Sequence, residues 1–158
     1  MRFNLVDRIL KVERGKSIQT VKNLTLGEEY LADHFPTFPV MPGVLMLQTL
    51  VESGSWLLRI SDNFRHSIIV LREAKTVKYG NFMEPGRQMI VTAELLEENG
   101  PNVLFKGKGE IEGNQTVSAR FTLFRYNLRD KNPALEAMDD RLIAQWRNLY
   151  SLLAVNKN

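Results

Sequence analysis

The chain has 158 residues, of which 44% are hydrophobic and 25% charged, and it contains no cysteine. These values fit one globular domain with an ordinary core, and they exclude a disordered or fibrous chain, disulfides, thiolate nucleophiles and cysteine-ligated metal sites. The formal net charge of +3 suits an acidic partner, but the lysines and arginines form no dense stripe of the kind that binds nucleic acid.

The N-terminal residues, MRFNLVDR, carry charges where a signal peptide needs an apolar stretch. No run of the sequence approaches the roughly 18 apolar residues that span a bilayer. The missing cysteine suits a reducing compartment. The sequence therefore predicts a cytoplasmic protein without a membrane segment.

The first predicted elements form a hairpin. Residues 9–13 and 17–24 alternate between apolar and polar side chains, and Arg-Gly-Lys at residues 14–16 makes the turn between them. A loop with three prolines follows at residues 33–43. Proline fixes φ and removes a backbone donor, so this loop is expected to be stiff and non-helical.

The central feature of the sequence is a helix, predicted from about Gly43 to Arg59, that is apolar on almost every side. Such a helix is usually buried. Strands are predicted at residues 67–78, 89–96, 103–112 and 115–124, with turns at 84–86 and 99–101 and a two-residue connection at Gly113-Asn114. One buried helix among many strands predicts an α+β fold in which a sheet wraps around the helix.

The C-terminal part reads as a separate extension. Residues 127–140 are polar and include a proline, which indicates a linker, and Asp139 or Asp140 is the predicted N-cap of a last helix. In that helix an amphipathic stripe recurs at spacings of 4, 3 and 4: Leu142, Trp146, Leu149 and Leu153. The predicted organisation is a domain of residues 1–126 and an extension of residues 127–158 whose helix packs on the body or on a partner.

The segment from His34 to Glu52 holds groups suited to acid–base chemistry. Histidine titrates near neutral pH, and the unpaired N–H groups of a helix start near Gly43 can polarise a carbonyl oxygen. Gln48 and Glu52 lie one turn apart on one helix face. Together these groups suit proton abstraction next to a carbonyl, while a surface histidine, an ordinary helix start and a solvated helix face remain open alternatives.

The run His34-Phe35-Pro36, followed by Pro39-Val40-Met41-Pro42-Gly43-Val44-Leu45, closely resembles the signature of the hotdog-fold 3-hydroxyacyl-[acyl-carrier-protein] dehydratases of type II fatty acid synthesis. Further landmarks are similar and in the same order, namely Leu5-Val6-Asp7-Arg8-Ile9, Ala74-Lys75 and Pro85-Gly86, so the resemblance covers roughly residues 3 to 124. It implies a long central helix wrapped by a curved antiparallel sheet. It also implies a dimer, a trimer of dimers or a hetero-oligomer with a paralogue.

The resemblance implies that a 3-hydroxyacyl thioester on acyl carrier protein loses water to give a trans-2-enoyl thioester, without a metal or a diffusible cofactor. His34 matches the histidine that removes the C2 proton, and Gly43, with Pro42 and Val44 beside it, matches the helix start that binds the thioester. The family's acid, which acts from the neighbouring subunit's helix, falls on Gln48, and glutamine has no proton to give.

The catalytic residues predicted in this way are His34, Gln48 and Glu52, since Glu52 lies one turn beyond Gln48 where the family usually has glutamine. Three functions follow: an active dehydratase, a non-catalytic carrier-binding subunit that pairs with an active paralogue, and a hotdog thioesterase that uses Glu52. The His-Phe-Pro loop disfavours the thioesterase.

Other side chains receive simpler predictions. Four basic residues are individually consistent with solvated charges, and together they are expected to contact an acidic carrier protein near the substrate entrance: Arg72, Lys75, Lys78 and Arg87. His66, which has no motif around it, is predicted to lie at the surface. Five apolar residues are predicted to lie in the core, at an interface or along the acyl channel: Met41, Met46, Met83, Phe38 and Phe82.

Overall fold

The computed structural model describes residues 4–154. Residues 1–3 of the predicted domain and residues 155–158 of the predicted C-terminal extension lie outside the described residues. The strands are β1 (Arg8–Glu13), β2 (Ser17–Asn23), β3 (Ile68–Tyr79), β4 (Gln88–Asn99), β5 (Asn102–Ile111) and β6 (Asn114–Tyr126), and the helices are α1 (Gly43–Ser61) and α2 (Glu136–Leu153). Short 3-10 turns cover Glu29–Ala32, Leu128–Asp130 and Pro133–Leu135.

All six strands form one antiparallel sheet in the order β1-β2-β4-β5-β6-β3. The predicted hairpin of β1 and β2 is confirmed, and so are the four later strands. The predicted connection at Gly113-Asn114 is wrong by one residue, because Asn114 already pairs with Ile111 in the ladder. The connecting residues are Glu112 and Gly113, whose φ angles of 51° and 80° suit a tight hairpin turn.

Helix α1 lies against the sheet as predicted, and it runs to Ser61. Its face towards the sheet includes Leu50 and Leu57, which are fully buried, and Gly54, where an added Cβ would come within 3.1 Å of the Phe121 ring. The buried hydroxyl of Ser53 lies 2.8 Å from that of Thr20 in β2, which ties the helix to the sheet. The α+β architecture predicted from the buried helix is therefore present.

Helix α2 begins at Glu136, so the prediction that Asp139 or Asp140 caps it is wrong. The segment before it is ordered by Asn132, whose side chain accepts a hydrogen bond from the Ala134 N–H at 3.1 Å and caps the preceding 3-10 turn. Asp139 instead lies in the first turn of α2, fully buried, where its carboxylate binds other parts of the chain. The predicted boundary at residue 126 coincides with the end of β6.

The apolar face of α2 packs on the body of the protein, as the stripe predicts. The Trp146 Nε1–H donates to the Ser67 carbonyl at 3.0 Å, and its ring meets Trp56 of α1 edge-on at 5.9 Å between ring centroids. Leu153 is buried, whereas Leu142 stays partly exposed and Ile143 packs against the core beside it. The stripe that packs is therefore rotated slightly from the predicted one.

The burial of individual side chains tests further predictions. His66 is not a surface residue, because it is half-buried and its Nδ1 lies 3.1 Å from the Asp62 carboxylate. The three methionines are buried, but Phe38 and Phe82 are exposed in the single chain and pack against each other edge-on. No helix within residues 4–154 is long and apolar enough to cross a membrane.

Candidate active site

A proline-rich loop holds His34 in front of α1. The His34 N–H donates to the Tyr30 carbonyl at 3.2 Å, and the Met41 N–H donates to the Met83 carbonyl at 2.9 Å. Val40 and Met41 are buried and anchor the far end of the loop in the core. The loop is thus fixed at both ends, with prolines restricting the backbone between them.

The His34 ring has a defined orientation. Its Nδ1 lies 2.8 Å from the Val40 carbonyl oxygen. A carbonyl can only accept, so in the neutral ring Nδ1 carries the proton and Nε2 keeps a free lone pair. The Phe35 ring packs on the imidazole at 4.5 Å, with Phe35 itself at a φ of 56°. The loop therefore presents Nε2 as a proton acceptor.

The start of α1 offers unpaired backbone donors. Pro42 is the N-cap residue and makes no side-chain cap, while its carbonyl accepts from the N–H groups of Leu45 and Met46 at 2.9 and 3.2 Å. The N–H groups of Gly43 and Val44 come before the first intrahelical bonds, so they are free to bind an anionic or carbonyl oxygen. Val44 itself is 68% exposed.

Packing within the chain explains why residue 43 is a glycine. An added Cβ at Gly43 would lie 3.0 Å from Cε1 of Tyr79, so the tyrosine ring occupies the space beside this glycine. The close approach that requires glycine is therefore made by a side chain of β3. Tyr79 was not among the predicted site residues, since nothing in the local sequence links it to Gly43.

Gln48 and Glu52 lie together, but in a cleft that His34 does not line. The cleft measures about 330 Å³ and is bounded by α1, β3 and α2. One face of α1 contributes Gln48, Glu52 and Arg59 to its polar lining, and Asn4 of the N-terminal segment also lies there. Within one chain the predicted catalytic residues are therefore divided between the His34 loop and this cleft.

The Glu52 carboxylate anchors the N-terminal segment. Its Oε2 accepts hydrogen bonds from the Leu5 N–H at 2.9 Å and the Val6 N–H at 3.2 Å. Burial raises the pKa of Glu52, although these two hydrogen bonds and the charges of Lys22 and Arg59 oppose the increase. A carboxyl with a raised pKa suits proton donation, but one oxygen of this one already has a structural role.

The four predicted carrier contacts do not form one patch in a single chain. Arg72 donates to the Asn102 side chain at 2.7 Å, and Arg87 pairs with Glu112. Asn102 begins β5 and Glu112 follows its end, so these two arginines are separated by about 30 Å of strand. Lys75 pairs with Glu73 at 3.1 Å.

An apolar surface surrounds the His34 loop. The large exposed side chains there are Phe35, Phe38, Val44, Tyr79 and Phe82. Contiguous exposed apolar surface of this kind is typical of interaction sites. Besides Tyr79, the sequence does not single out Arg59, which is a single charge in the second half of an apolar helix.

Known proteins match the chain over most of its length. Residues 1–120 match the model of the FabA-like domain family. The 3-hydroxyacyl-[acyl-carrier-protein] dehydratase FabZ of Albidiferax ferrireducens is 35% identical over 123 residues, which cover 76% of this chain and 82% of that protein. FabZ of Geobacillus thermodenitrificans is 36% identical over 107 residues, covering 68% and 72%.

Solved structures share the fold. A chain of the dehydratase heterocomplex ApeI:P from Xenorhabdus doucetiae superposes with a TM-score of 0.68 at 13% identity, covering 84% of this chain and 90% of that one. The protein smu.793 from Streptococcus mutans, bound to acetyl CoA, gives a TM-score of 0.59 at 15% identity, covering 80% and 94%. The predicted hotdog architecture is confirmed by these neighbours.

Proposed function

This chain belongs to the FabA-like domain family, and we propose that it is a dehydratase that converts 3-hydroxyacyl thioesters on acyl carrier protein to trans-2-enoyl thioesters. The observation that carries the proposal is the His34 ring, whose Nδ1 is held by the Val40 carbonyl at 2.8 Å while Nε2 has no hydrogen-bond partner among residues 4–154. A base fixed in one tautomer beside a helix start is the arrangement that α-proton removal from a thioester requires.

In the proposed first step, Nε2 of His34 removes the C2 proton of the substrate. The thioester oxygen accepts hydrogen bonds from the free N–H groups of Gly43 and Val44, which stabilise the negative charge that develops on it. The α1 dipole adds to this stabilisation, since its positive end lies at Gly43. The ring of Pro42 restricts its φ angle, which is −55° here, and so fixes the direction in which the chain enters α1.

The second step needs a proton for the departing hydroxyl, and Gln48 has none to give. Two routes are open to this chain. Gln48 can orient a water while protonated His34 returns the proton, or the Glu52 carboxyl, whose raised pKa favours its protonated form, can act as the acid. In either route the elimination needs neither a metal nor a diffusible cofactor.

A second chain is part of the proposal. His34 and the Gln48–Glu52 cleft are separate within one chain, and β3 pairs only with β6, so its other edge is open among residues 4–154. Exposed apolar side chains line this edge, Val70, Leu71 and Tyr79. Pairing along β3 would cover them and bring the helix of one chain towards the loop of the other. The partner is a second copy or a paralogue.

The decisive test is hydration of a crotonyl thioester by the purified protein, which is the reverse reaction. His34→Ala should abolish it. His66→Ala is the matched control, because His66 is the other histidine of the chain and makes its contact with Asp62, so it should retain activity. Equal activity of the wild type and His34→Ala would overturn the proposal.

A second candidate function is a non-catalytic subunit that binds the acyl carrier and pairs with an active paralogue. The observation that favours it is Gln48 at the acid position, combined with the engagement of Glu52 by the N-terminal segment. Carrier binding without turnover, restored by a co-expressed partner chain, would select this function. The thioesterase alternative would require hydrolysis of acyl thioesters that depends on Glu52.

The proposed carrier surface is restricted by the structure. The exposed basic residues Arg72, Lys75 and Lys78 all belong to β3, beside the open edge, and are better placed than Arg87 to meet one acidic carrier domain. A cytoplasmic location, where such carriers and their thioesters are made and used, is part of the same proposal. Charge reversal at Lys75 and Lys78 together should weaken carrier binding and leave hydration of a small thioester unchanged.

A further inference from the structure

The cleft beside α1 contains a buried arginine that lacks a counter-ion in contact. Arg59 is only 6% exposed, and its Nε has no hydrogen-bond partner among residues 4–154. Among residues 4–154 the acidic group whose charge acts on Arg59 is Glu52, and its Oε2 is already bound by two backbone N–H groups. A buried donor without a partner is costly, so this guanidinium is a candidate for binding a ligand.

The surroundings of Arg59 combine one charge with aromatic walls. Its Cζ lies 4.0 Å from the ring centroid of Trp146 in α2 and 5.6 Å from that of Trp56 in α1. Leu149 and residues 69–71 of β3 line the same cleft. The volume of about 330 Å³ is within the range of small-molecule sites, which begins near 300 Å³.

The charge state of the cleft favours a singly charged anion. Burial lowers the pKa of Arg59 to about 10, although Glu52 opposes the decrease, so the guanidinium remains a cation at neutral pH. A planar carboxylate matches the guanidinium fork and needs little desolvation beyond its two oxygens. Phosphate carries more charge and more hydration, so burying it beside Glu52 would cost more than burying a carboxylate there.

We propose that this cleft binds a carboxylate carried on an apolar aliphatic or aromatic body, with Arg59 as its counter-ion and the rings of Trp56 and Trp146 against the body. The Gln48 side-chain amide lines the same cleft and supplies further N–H hydrogen-bond donors. A second cleft of about 530 Å³ shares Asn4, Trp146 and Leu149 with the first and gives the apolar body room to extend along α2. The carboxylate belongs either to a free organic acid or to the far end of an acyl thioester.

Intrinsic fluorescence reports directly on this site, because Trp56 and Trp146 are the two tryptophans of the chain. Titration with hexanoate should give a saturable change, with a Kd about tenfold or more below that of the neutral hexanamide. Inorganic phosphate should give no saturable change. Arg59→Met should raise the Kd for hexanoate about tenfold or more, whereas Arg14→Met, at the exposed β1–β2 turn, should leave it unchanged.

Two thioesters identify the source of the carboxylate. Adipoyl-pantetheine ends in a carboxylate and hexanoyl-pantetheine in a methyl group. Tighter binding of adipoyl-pantetheine than of both hexanoyl-pantetheine and hexanoate assigns the site to an acyl chain. Tighter binding of hexanoate than of both thioesters assigns it to a free acid.

Equal Kd values for hexanoate and hexanamide would overturn the proposal, as would binding of phosphate with the affinity of hexanoate. The comparison of hexanoate with hexanamide in the wild type tests the proposal even if Arg59→Met fails to fold. If Arg59 only stabilises the packing of α2 through its aromatic contacts, Arg59→Met should have a lower melting temperature and the wild type should bind hexanoate no more tightly than hexanamide. Hexanoate binding by His34→Ala should equal that of the wild type, so a failure of this proposal can be told apart from a failure of the dehydratase proposal, although both involve the cleft that Gln48 and Glu52 line.

Discussion

The Ser67 hydroxyl donates a hydrogen bond to the Asp139 carboxylate across 72 positions of sequence, and both residues are fully buried. The same carboxylate accepts from the N–H groups of Leu128 and Arg129, each at 2.9 Å, and from Nε of Arg129 at 3.1 Å. One side chain thus joins the start of β3, the segment after β6 and the first turn of α2. The C-terminal extension is attached to the body through this carboxylate as well as through its apolar face.

Asp139→Asn should destabilise the protein by about 2 to 3 kcal/mol at neutral pH, because an amide places a donor where four donors already converge. Burial raises the pKa of Asp139, but the bonds from Ser67, Arg129 and Leu128 outweigh it and lower the pKa from 3.8 to about 2. A lowered folded-state pKa means that the stabilisation is complete above pH 4 and disappears as the pH falls towards 2. Urea unfolding of the wild type and of Asp139→Asn at a series of pH values measures both the destabilisation and its dependence on pH.

The control for this prediction is Asp140→Asn. Asp140 pairs with the same Arg129 at 3.0 Å, but its side chain is 67% exposed. An exposed pair contributes about 0 to 1 kcal/mol, so this variant should unfold almost like the wild type. Equal destabilisation by both variants would contradict the role assigned to Asp139.

Gln48→Glu should increase hydratase or dehydratase activity. General acid catalysis is typically worth about a hundred- to ten-thousand-fold, and the variant places a proton donor where the resemblance to the dehydratases predicts the acid. Glu52→Gln should lower the activity of the native protein while still accepting the Leu5 and Val6 N–H groups through its amide oxygen. Steady-state kinetics on several acyl-carrier substrates measure both changes. If the native chain and Gln48→Glu bind these substrates and turn over none, the dehydratase proposal fails.

Gly43→Ala should lower kcat, since the new Cβ would press on the Tyr79 ring at 3.0 Å and displace the N–H groups at the start of α1. Overpacking of this kind costs about 1 to 3 kcal/mol. Adding Tyr79→Ala should recover part of the loss by removing the ring. Gly27→Ala is the control, because its Cβ would meet only the Thr25 hydroxyl at 3.7 Å. Unchanged kinetics for Gly43→Ala alone would show that the contact has no part in the site.

Trp146→Ala should destabilise the protein by about 3 kcal/mol, because it removes the contact with Trp56 and the hydrogen bond to the Ser67 carbonyl. Leu142→Ala, in the same helix but partly exposed, should cost under about 1 kcal/mol. Thermal and urea unfolding compare the two. The His34 loop should remain formed in both variants, since its anchors at Tyr30 and Met83 lie outside α2.

Local sequence determined the secondary-structure elements and the His34 loop of the candidate site. The alternation of β1 and β2, the apolar run of α1 and the prolines before Gly43 are properties of neighbouring residues, and period and backbone restriction act over a few positions. The sequence accordingly predicted the strands to within a few residues and the loop that carries His34. It misplaced the start of α2, because Asp139 resembles a cap by residue type while its partners lie elsewhere in the chain.

Tertiary structure decided what these elements do with their polar side chains. Glu52 binds backbone 47 positions away, and Trp146 donates to a carbonyl 79 positions away. Tyr79 fills the space beside Gly43, and α2 encloses Arg59 against two tryptophans. None of these contacts follows from helical or strand period, because each depends on how elements pack once the core has excluded water. A buried polar group then takes whichever partner the packing places within reach, and that partner can lie anywhere in the sequence.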